Sequence, residues 1–198
     1  MVKVRKRVRL PHWDANEATY FVTFNLHDAF PADFRNKLER ERFIRMSELE
    51  RLKRKATPAE VHDIDQLIRE RAEELLDKGA GASHMRDPQI AQVVADAITH
   101  FDEDRYLLFA WCVMPNHVHA VFRAHEPIDR ILQAWKSFTA KAANKLLSPE
   151  GAFWQEDYWD RLARSREELQ RIVQYILDNP GKAGLTDWAW VRVYPDRL

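Results

Sequence analysis

Two apolar runs that flank a short turn constrain the fold of this chain more than any other feature. Residues 107–113 and 118–122 are rich in aromatic, β-branched and other apolar side chains. Runs of this length around a turn predict two paired strands, a β-hairpin. His117 and His119 stand two positions apart in the second strand, so both imidazoles are expected on one face of the sheet.

The two histidines could form half of a metal site. Imidazole nitrogens are common ligands of divalent ions, and a rigid strand holds two of them side by side. A pattern as short as His-x-His is equally compatible with an ordinary solvated or hydrogen-bonded pair. A second motif is needed before the pair indicates chemistry.

That second motif lies on a predicted helix near the end of the chain, which carries Tyr175 and Asn179. Residues four apart lie one turn from each other on the same helix face. A helix docked across the histidine strand would bring a hydroxyl, two imidazoles and an amide oxygen together. Such a set fits phosphoryl transfer with tyrosine as covalent nucleophile. A tyrosine beside a core stripe is otherwise a packing residue.

Composition predicts a folded protein in a reducing compartment. The chain has 198 residues, 45% of them hydrophobic, and 31 basic residues balance 31 acidic ones, so net charge does not indicate a nucleic-acid partner. The single cysteine excludes an intrachain disulfide. No apolar run approaches the roughly 18 residues of a membrane span. We expect one domain over residues 1–198, cytoplasmic, with no membrane partner.

Basic and acidic residues balance over the whole chain, but they are unevenly distributed along it. Residues 1–10 contain five basic side chains and no acidic one, as a phosphate-binding arm would. Arg5 and Arg7 are therefore candidate DNA contacts. A solubilising tail is the alternative interpretation of this segment.

Helical periodicity follows a predicted interior strand at residues 18–26. Two amphipathic stretches, about residues 34–55 and 58–78, meet at Thr57, a plausible N-cap, and Pro58, a favoured first helical residue. From residue 35 to 55 there are nine basic and four acidic residues, and from 60 to 78 three basic and seven acidic. Opposite charge favours an antiparallel helical hairpin attached at about residues 34–78. The basic first helix could also meet DNA.

Several motifs in order along the chain resemble the single-tyrosine HUH transposases, of the IS200-like superfamily. The resemblance is greatest to the REP-associated tyrosine transposases and covers about residues 19–187. The motifs are Met114-Pro-Asn-His-Val-His119, Phe153-Trp-Gln155, Trp159-Asp-Arg161 and Tyr175-Ile-x-x-Asn-Pro180.

This resemblance implies an α+β fold, a ferredoxin-like antiparallel sheet with helices packed on one face, into which the helical hairpin is inserted where family members vary. It also implies that His117, His119 and Asn179 bind Mg²⁺ or Mn²⁺, and that Tyr175 is the nucleophile. The family cuts single-stranded or hairpin DNA, leaving a 5′-phosphotyrosine and a free 3′-OH, and reseals by the reverse attack.

DNA binding would combine cations on the backbone with aromatic stacking on unpaired bases. Lys136, Lys141 and Arg161 are the cationic candidates, although solvated lysines and a structural Asp160–Arg161 pair are alternatives. Trp154 and Trp159 are the stacking candidates, because Trp111 and Trp135 fit core positions better.

Two other functions compete with strand cleavage. One is a non-catalytic DNA-binding protein of transposase ancestry that acts on repeated palindromes, against which the retention of Tyr175, both histidines and Asn179 speaks. The other is a hydrolase of small phosphate esters, but Val121 stands where a histidine triad needs a third histidine, and no His-Glu-x-x-His occurs. The sequence leaves open which DNA is recognised, whether the protein moves an element at the nucleoid or is domesticated, and whether it acts as a monomer or a homodimer.

Overall fold

The computed structural model describes residues 3–6, 11–14, 17–51, 56–79, 81–147 and 151–198. The strands are β1 Lys3–Lys6, β2 Pro11–Asp14, β3 Thr19–Asn25, β4 Tyr106–Val113, β5 His117–Ala124, β6 Trp159–Leu162 and β7 Val191–Val193. The helices are α1 Ala32–Arg51, α2 Pro58–Asp77, α3 Pro88–Thr99, α4 Ile128–Leu147 and α5 Arg166–Lys182.

The main sheet has five antiparallel strands in the order β6-β3-β5-β4-β7. The histidine strand β5 is therefore central, and β3 occupies the interior position predicted for it. Each of β3, β4 and β5 has a neighbouring strand on both edges, and their side chains are buried on both faces of the sheet. This burial explains why their sequences are almost continuously apolar.

Two separate apolar clusters show that helices cover both faces of the sheet. One joins Val118, Ala120 and Phe122 of β5 to α3 and α4, and the other joins Val121 to α5. The α+β class and the antiparallel sheet are confirmed, but the expectation that the helices pack on one face is wrong. The physical reason lies in β3, β4 and β5, whose side chains are apolar on both faces and need burial on both.

Helices α1 and α2 form where the two helical periods predict them. Thr57 caps α2 with a complete capping box: its hydroxyl accepts from Glu60 N at 3.3 Å, and the Glu60 carboxylate accepts from Thr57 N at 2.9 Å. Arg42 of α1 pairs with Asp65 of α2 at 2.8 Å, an ion pair between the flanks of the hairpin. The opposite net charges of the two helical stretches predicted this antiparallel hairpin.

The hairpin is less of an appendage than its charge pattern suggests. Ile68, Ala72 and Leu76 of α2 are buried in the same cluster as β3, β5, α3 and α4. They recur at four-residue intervals, so one side of α2 is part of the core. The last turn of α2 is consequently held against the sheet.

Part of the basic N-terminal segment is a strand. Lys3–Lys6 pairs antiparallel with Pro11–Asp14, so Arg5 lies in β1. Arg7 lies outside the described residues, and its expected DNA contact stays a prediction, as does that of Arg5. Within the described ranges, no helix is both long and apolar enough to cross a membrane.

Two glycines in the turn after α2 should differ in how much their replacement lowers the unfolding free energy. Gly79 and Gly81 both have positive φ, 69° and 75°, but only at Gly81 would a Cβ lie 2.4 Å from the carbonyl oxygens of Asp28 and Ala29. We expect Gly79→Ala to cost about 1–2 kcal/mol of unfolding free energy, the left-handed penalty alone. We expect Gly81→Ala to cost about 2–5 kcal/mol, because a backbone clash is added. Urea unfolding measures both, and equal costs would contradict the close approach.

Candidate active site

The two histidines lie side by side on β5, as their spacing predicts. Both side chains are fully buried, and their Nε2 atoms are 2.9 Å apart. Burial lowers the pKa of His117 to about 3 and that of His119 well below its ordinary value, so both imidazoles are neutral near pH 7. Neutral imidazole is the form that binds metal.

Asn116 fixes the tautomer of His117. Its side-chain nitrogen donates to the carbonyl of Leu76 at 3.0 Å, so its oxygen is the atom that faces His117 Nδ1 at 2.7 Å. An amide oxygen can only accept, so Nδ1 carries the proton and Nε2 keeps its lone pair. This contact also ties the end of α2 to the histidine strand.

The neighbouring strand supports the second histidine. Thr23 of β3 stands directly opposite His119, and its hydroxyl lies 2.9 Å from His119 Nδ1. A hydroxyl can donate or accept, so it is compatible with His119 having its Nε2 lone pair free for a metal. Both imidazoles are thus oriented by a partner on the far ring nitrogen.

A third ligand-bearing residue at the histidines was missed by sequence reasoning. Asp77 is the last residue of α2, and its Oδ1 lies 3.6 Å from His117 Nε2. Potential ligand atoms of Asp77, His117 and His119 all lie within 4.8 Å of one another. No local signal distinguishes Asp77 from the other acidic residues of α2, and only the packing of the hairpin selects it.

Tyr175 and Asn179 of α5 reach the same place, as the helical spacing predicts. Asn179 is fully buried, and its amide nitrogen lies 3.4 Å from Asp77 Oδ1. The ring of Tyr175 stands edge-on to that of His119, with centroids 5.3 Å apart. Among the described residues, the buried Tyr175 hydroxyl and Asn179 Oδ1 have no hydrogen-bond partner. A docked helix has therefore brought a hydroxyl, two imidazoles and an amide together.

Electrostatics keep the Tyr175 phenol protonated in this structure. Burial raises its pKa well above the ordinary value of 10, and the nearby carboxylates of Glu73 and Asp77 raise it further. Burial also raises the pKa of Glu73 to about 7 and leaves its Oε1 without a hydrogen-bond partner in the described structure. A carboxyl of that pKa can exchange a proton near neutral pH.

The donor set fits a divalent cation. Two ligands at about 2.0–2.1 Å from an ion, in adjacent octahedral positions, are about 2.9 Å apart, which is the spacing of the two Nε2 atoms. The unpartnered Asn179 oxygen is a hard, buried acceptor that a cation would satisfy. Mixed nitrogen and oxygen donors accommodate Mn²⁺ as well as harder or softer ions.

The predicted DNA-binding residues separate into different roles. Arg161 lies over the ring of Phe21, 5.2 Å from its centroid, and its guanidinium is 3.5 Å from Glu168. Burial and the neighbouring charge of Arg69 lower the pKa of Arg161, and the carboxylates of Glu168 and Glu73 partly counteract this. Lys141 is exposed on α4, and Trp159 is half-buried in β6. Phosphate and base contacts by these three residues remain predictions.

Two of the DNA-binding candidates have structural partners instead. Trp154 is 5% exposed and donates from Nε1 to Thr139 Oγ1 at 2.8 Å, so it cannot stack on a base without leaving the core. The Lys136 ammonium donates to the carbonyls of Gln155 and Glu156 at 2.5 and 2.7 Å. These contacts contradict base stacking by Trp154, and they use the Lys136 charge to hold the connector that precedes β6.

Asn116→Ala tests the link between α2 and the histidines. Loss of both hydrogen bonds leaves His117 Nδ1 unpaired and the Leu76 carbonyl with the Gly79 amide as its remaining donor, so we expect a loss of about 1–3 kcal/mol in unfolding free energy. We also expect Mn²⁺ affinity to fall about 10- to 100-fold, as for other partners of metal-binding histidines. Asn144→Ala is the matched control, since its amide bonds Gly151 O at the surface. Equal effects of the two substitutions would contradict the role of Asn116.

Comparison with known proteins identifies the class to which this arrangement belongs. Residues 83–179 match the family model described as "Transposase IS200 like", a segment that contains both histidines, Tyr175 and Asn179. Through this segment the chain is similar to the IS200-like transposases, as the motifs predicted.

A curated protein and a solved structure show which members of this family the chain is similar to. The chain is 28% identical over 114 residues to the REP-associated tyrosine transposase of Escherichia coli strain K12. The match covers 53% of this chain and 66% of that protein, just under two thirds of its length. A solved structure of a REP-associated tyrosine transposase bound to a REP hairpin superposes with a TM-score of 0.56 at 16% identity, covering 93% of this chain and 82% of that one. The structural likeness confirms the fold.

Proposed function

We propose that this protein cuts and rejoins one strand of hairpin-forming, REP-like palindromic DNA through a 5′-phosphotyrosine intermediate, as a metal-dependent HUH-type transposase. The observation that carries the proposal is the cluster that the buried His117, His119 and Asn179 form with the half-buried Tyr175. A binding protein has no need of a nucleophile placed beside two neutral imidazoles. The DNA class is supported by the REP-associated relatives and by the hairpin bound in the solved relative.

The chain's own residues would position the nucleophile and the phosphate. The Tyr175 ring stands edge-on to the stacked rings of Phe21 and His119, with centroids 6.0 and 5.3 Å away. The Arg161 guanidinium is the cation suited to a phosphate oxygen, because it is held in place over Phe21. Fixing the phenol against the phosphorus removes much of the entropic barrier to attack.

The covalent step exchanges one phosphodiester for another. The Tyr175 oxygen bonds to phosphorus, the bond from phosphorus to the 3′ oxygen breaks, and the released 3′-OH takes up a proton. The phenol proton must leave during the attack, since burial keeps Tyr175 protonated at neutral pH. A Mg²⁺ or Mn²⁺ ion held by His117, His119 and Asn179 would supply electrophilic polarisation of the phosphate. Resealing is the reverse exchange, and no nucleotide cofactor is needed.

Histidines and tyrosine of the same chain meet in this structure, so one subunit can supply a complete set. We therefore propose that a single chain is competent for cleavage, whether or not a homodimer forms. Action on chromosomal palindromes would place the protein at the nucleoid.

The direct test is incubation with labelled single-stranded hairpins taken from palindromes that flank the gene. With Mg²⁺ or Mn²⁺ we expect a covalent protein–DNA adduct and a free 3′-OH fragment on a denaturing gel, and neither with EDTA. Hairpins that bind but give no adduct and no cut with either metal would favour the alternative, a non-catalytic DNA-binding protein of transposase ancestry.

A further inference from the structure

We propose that Asp77, at the end of the helical hairpin, is a ligand of the same metal ion as the two histidines, so that the last turn of α2 is part of the metal centre. This inference rests on the proposed metal-dependent function. Asp77 lies before residues 83–179, the segment that matches the family, so nothing in that match assigns it a role.

Geometry is the first support. Asp77 Oδ1 lies 3.6 Å from His117 Nε2 and 3.4 Å from the Asn179 amide nitrogen, on the side of both groups that faces the site. The Asn179 oxygen is fully buried and unpartnered beside it. Potential ligand atoms of the two imidazoles and the carboxylate thus lie within 4.8 Å of one another, and the Asn179 amide of α5 contacts that carboxylate.

Charge is the second support. Within the described ranges no Lys or Arg side chain lies within 4.0 Å of the Asp77 carboxylate, and the charge of Lys182 acts on it from a greater distance. A half-buried carboxylate without a cation in contact is costly, and here the groups in contact are an imidazole and an amide. A divalent ion between Asp77 and the imidazoles would balance its charge.

The third support is the way in which the chain positions Asp77. Asn116 binds both the carbonyl of Leu76 and the imidazole of His117, which sets the end of α2 at a fixed distance from the histidine strand. Just beyond it, Ala82 N donates to Asp28 O at 2.8 Å, and Gly81 packs against the same loop. The last turn of α2 is thus held on both sides of Asp77.

Ligation by Asp77 has a thermodynamic consequence. An ion that binds only when α2 is docked stabilises the docked hairpin, and docking in turn raises the affinity for the ion. The hairpin would therefore act as the element through which metal binding orders the site.

Mn²⁺ binding, followed by electron paramagnetic resonance of the free ion, tests the ligand directly in the full-length chain. We expect Asp77→Asn to weaken binding by at least about tenfold, since loss of even an outer partner has that effect. Asp63→Asn is the control for charge, because Asp63 is exposed on the same helix. Glu73→Gln removes a buried carboxylate one turn away, and both controls should bind within about twofold of the wild type.

Hydrogen exchange provides a readout that needs no variant. Saturating Mn²⁺ should slow exchange of the amides of Lys78 and Gly79, which close the last turn of α2 on Glu74 and Leu76, and should leave α1 unaffected. Unchanged exchange in that turn, an unaltered affinity in Asp77→Asn, or an equal loss in Glu73→Gln would overturn the inference.

The two proposals fail separately. If wild type binds Mn²⁺ and His119→Gln does not, but Asp77→Asn matches wild type, only the role of Asp77 is overturned. If wild type itself binds neither Mn²⁺ nor Mg²⁺, the metal-dependent function falls as well.

Discussion

Tyr175→Phe should abolish the covalent protein–DNA adduct and lower strand cleavage by at least about a thousandfold, the scale seen when an enzyme loses its nucleophile. The substitution removes one oxygen and leaves the ring in its edge contacts with Phe21 and His119. That hydroxyl makes no hydrogen bond among the described residues, so hairpin affinity should stay within about twofold. Unfolding free energy should not decrease, because a buried unpaired polar group is lost. Denaturing gels, filter binding and urea unfolding measure the three quantities.

Tyr194→Phe is the matched control for this experiment. Tyr194 is half-buried near the C-terminus, where it packs under the guanidinium of Arg197, and we expect normal cleavage without its hydroxyl. An adduct that persists in Tyr175→Phe would assign the nucleophile elsewhere, with Tyr158 the next candidate. An adduct lost in both variants would point to a general defect.

Trp154→Ala should lower the unfolding free energy by about 3–5 kcal/mol, the range for removal of a large buried aromatic side chain. The indole stands edge-on to Phe24 with centroids 4.8 Å apart, and its N–H is bonded to Thr139. Urea unfolding of the DNA-free protein is the measurement. A base-stacking role predicts the opposite pattern, a weaker hairpin complex with unchanged stability.

Thr139→Val separates the hydrogen bond from the packing. It keeps the volume near Trp154 but leaves the indole N–H without its acceptor, so we expect a loss of about 1–3 kcal/mol. Losses of less than about 0.5 kcal/mol in both variants would show that this part of the connector is not core.

Local signals were sufficient for the elements and for the placement of four candidate site residues. The Thr57 cap, the interior strand at residues 18–26 and the hairpin around Pro115 follow from capping chemistry, apolar patterning and turn residues, which act over a few positions. The His-x-His spacing placed both imidazoles on one face. The four-residue spacing of Tyr175 and Asn179 placed both on one face of α5.

Residues whose role depends on distant partners could not be assigned in this way. Lys136 resembles any surface lysine on α4 until the connector is seen to bring two carbonyl groups to its ammonium. Trp154 lies in a polar, aromatic stretch that looks like a binding surface, and only the approach of α4 and β3 makes it core. The helix-covered second face was likewise missed, because periodicity does not say where α5 docks.

The sequence by itself determined the strands and helices, the shared face of the histidine pair and the likeness to the IS200-like transposase family, since each is encoded by residues close together or by motifs in order. Tertiary structure alone decided that Asp77 meets His117, that Asn116 links the two, and that α5 closes the opposite face over them. These contacts join segments far apart in the chain. Their existence depends on how whole elements pack, which no short stretch of residues specifies.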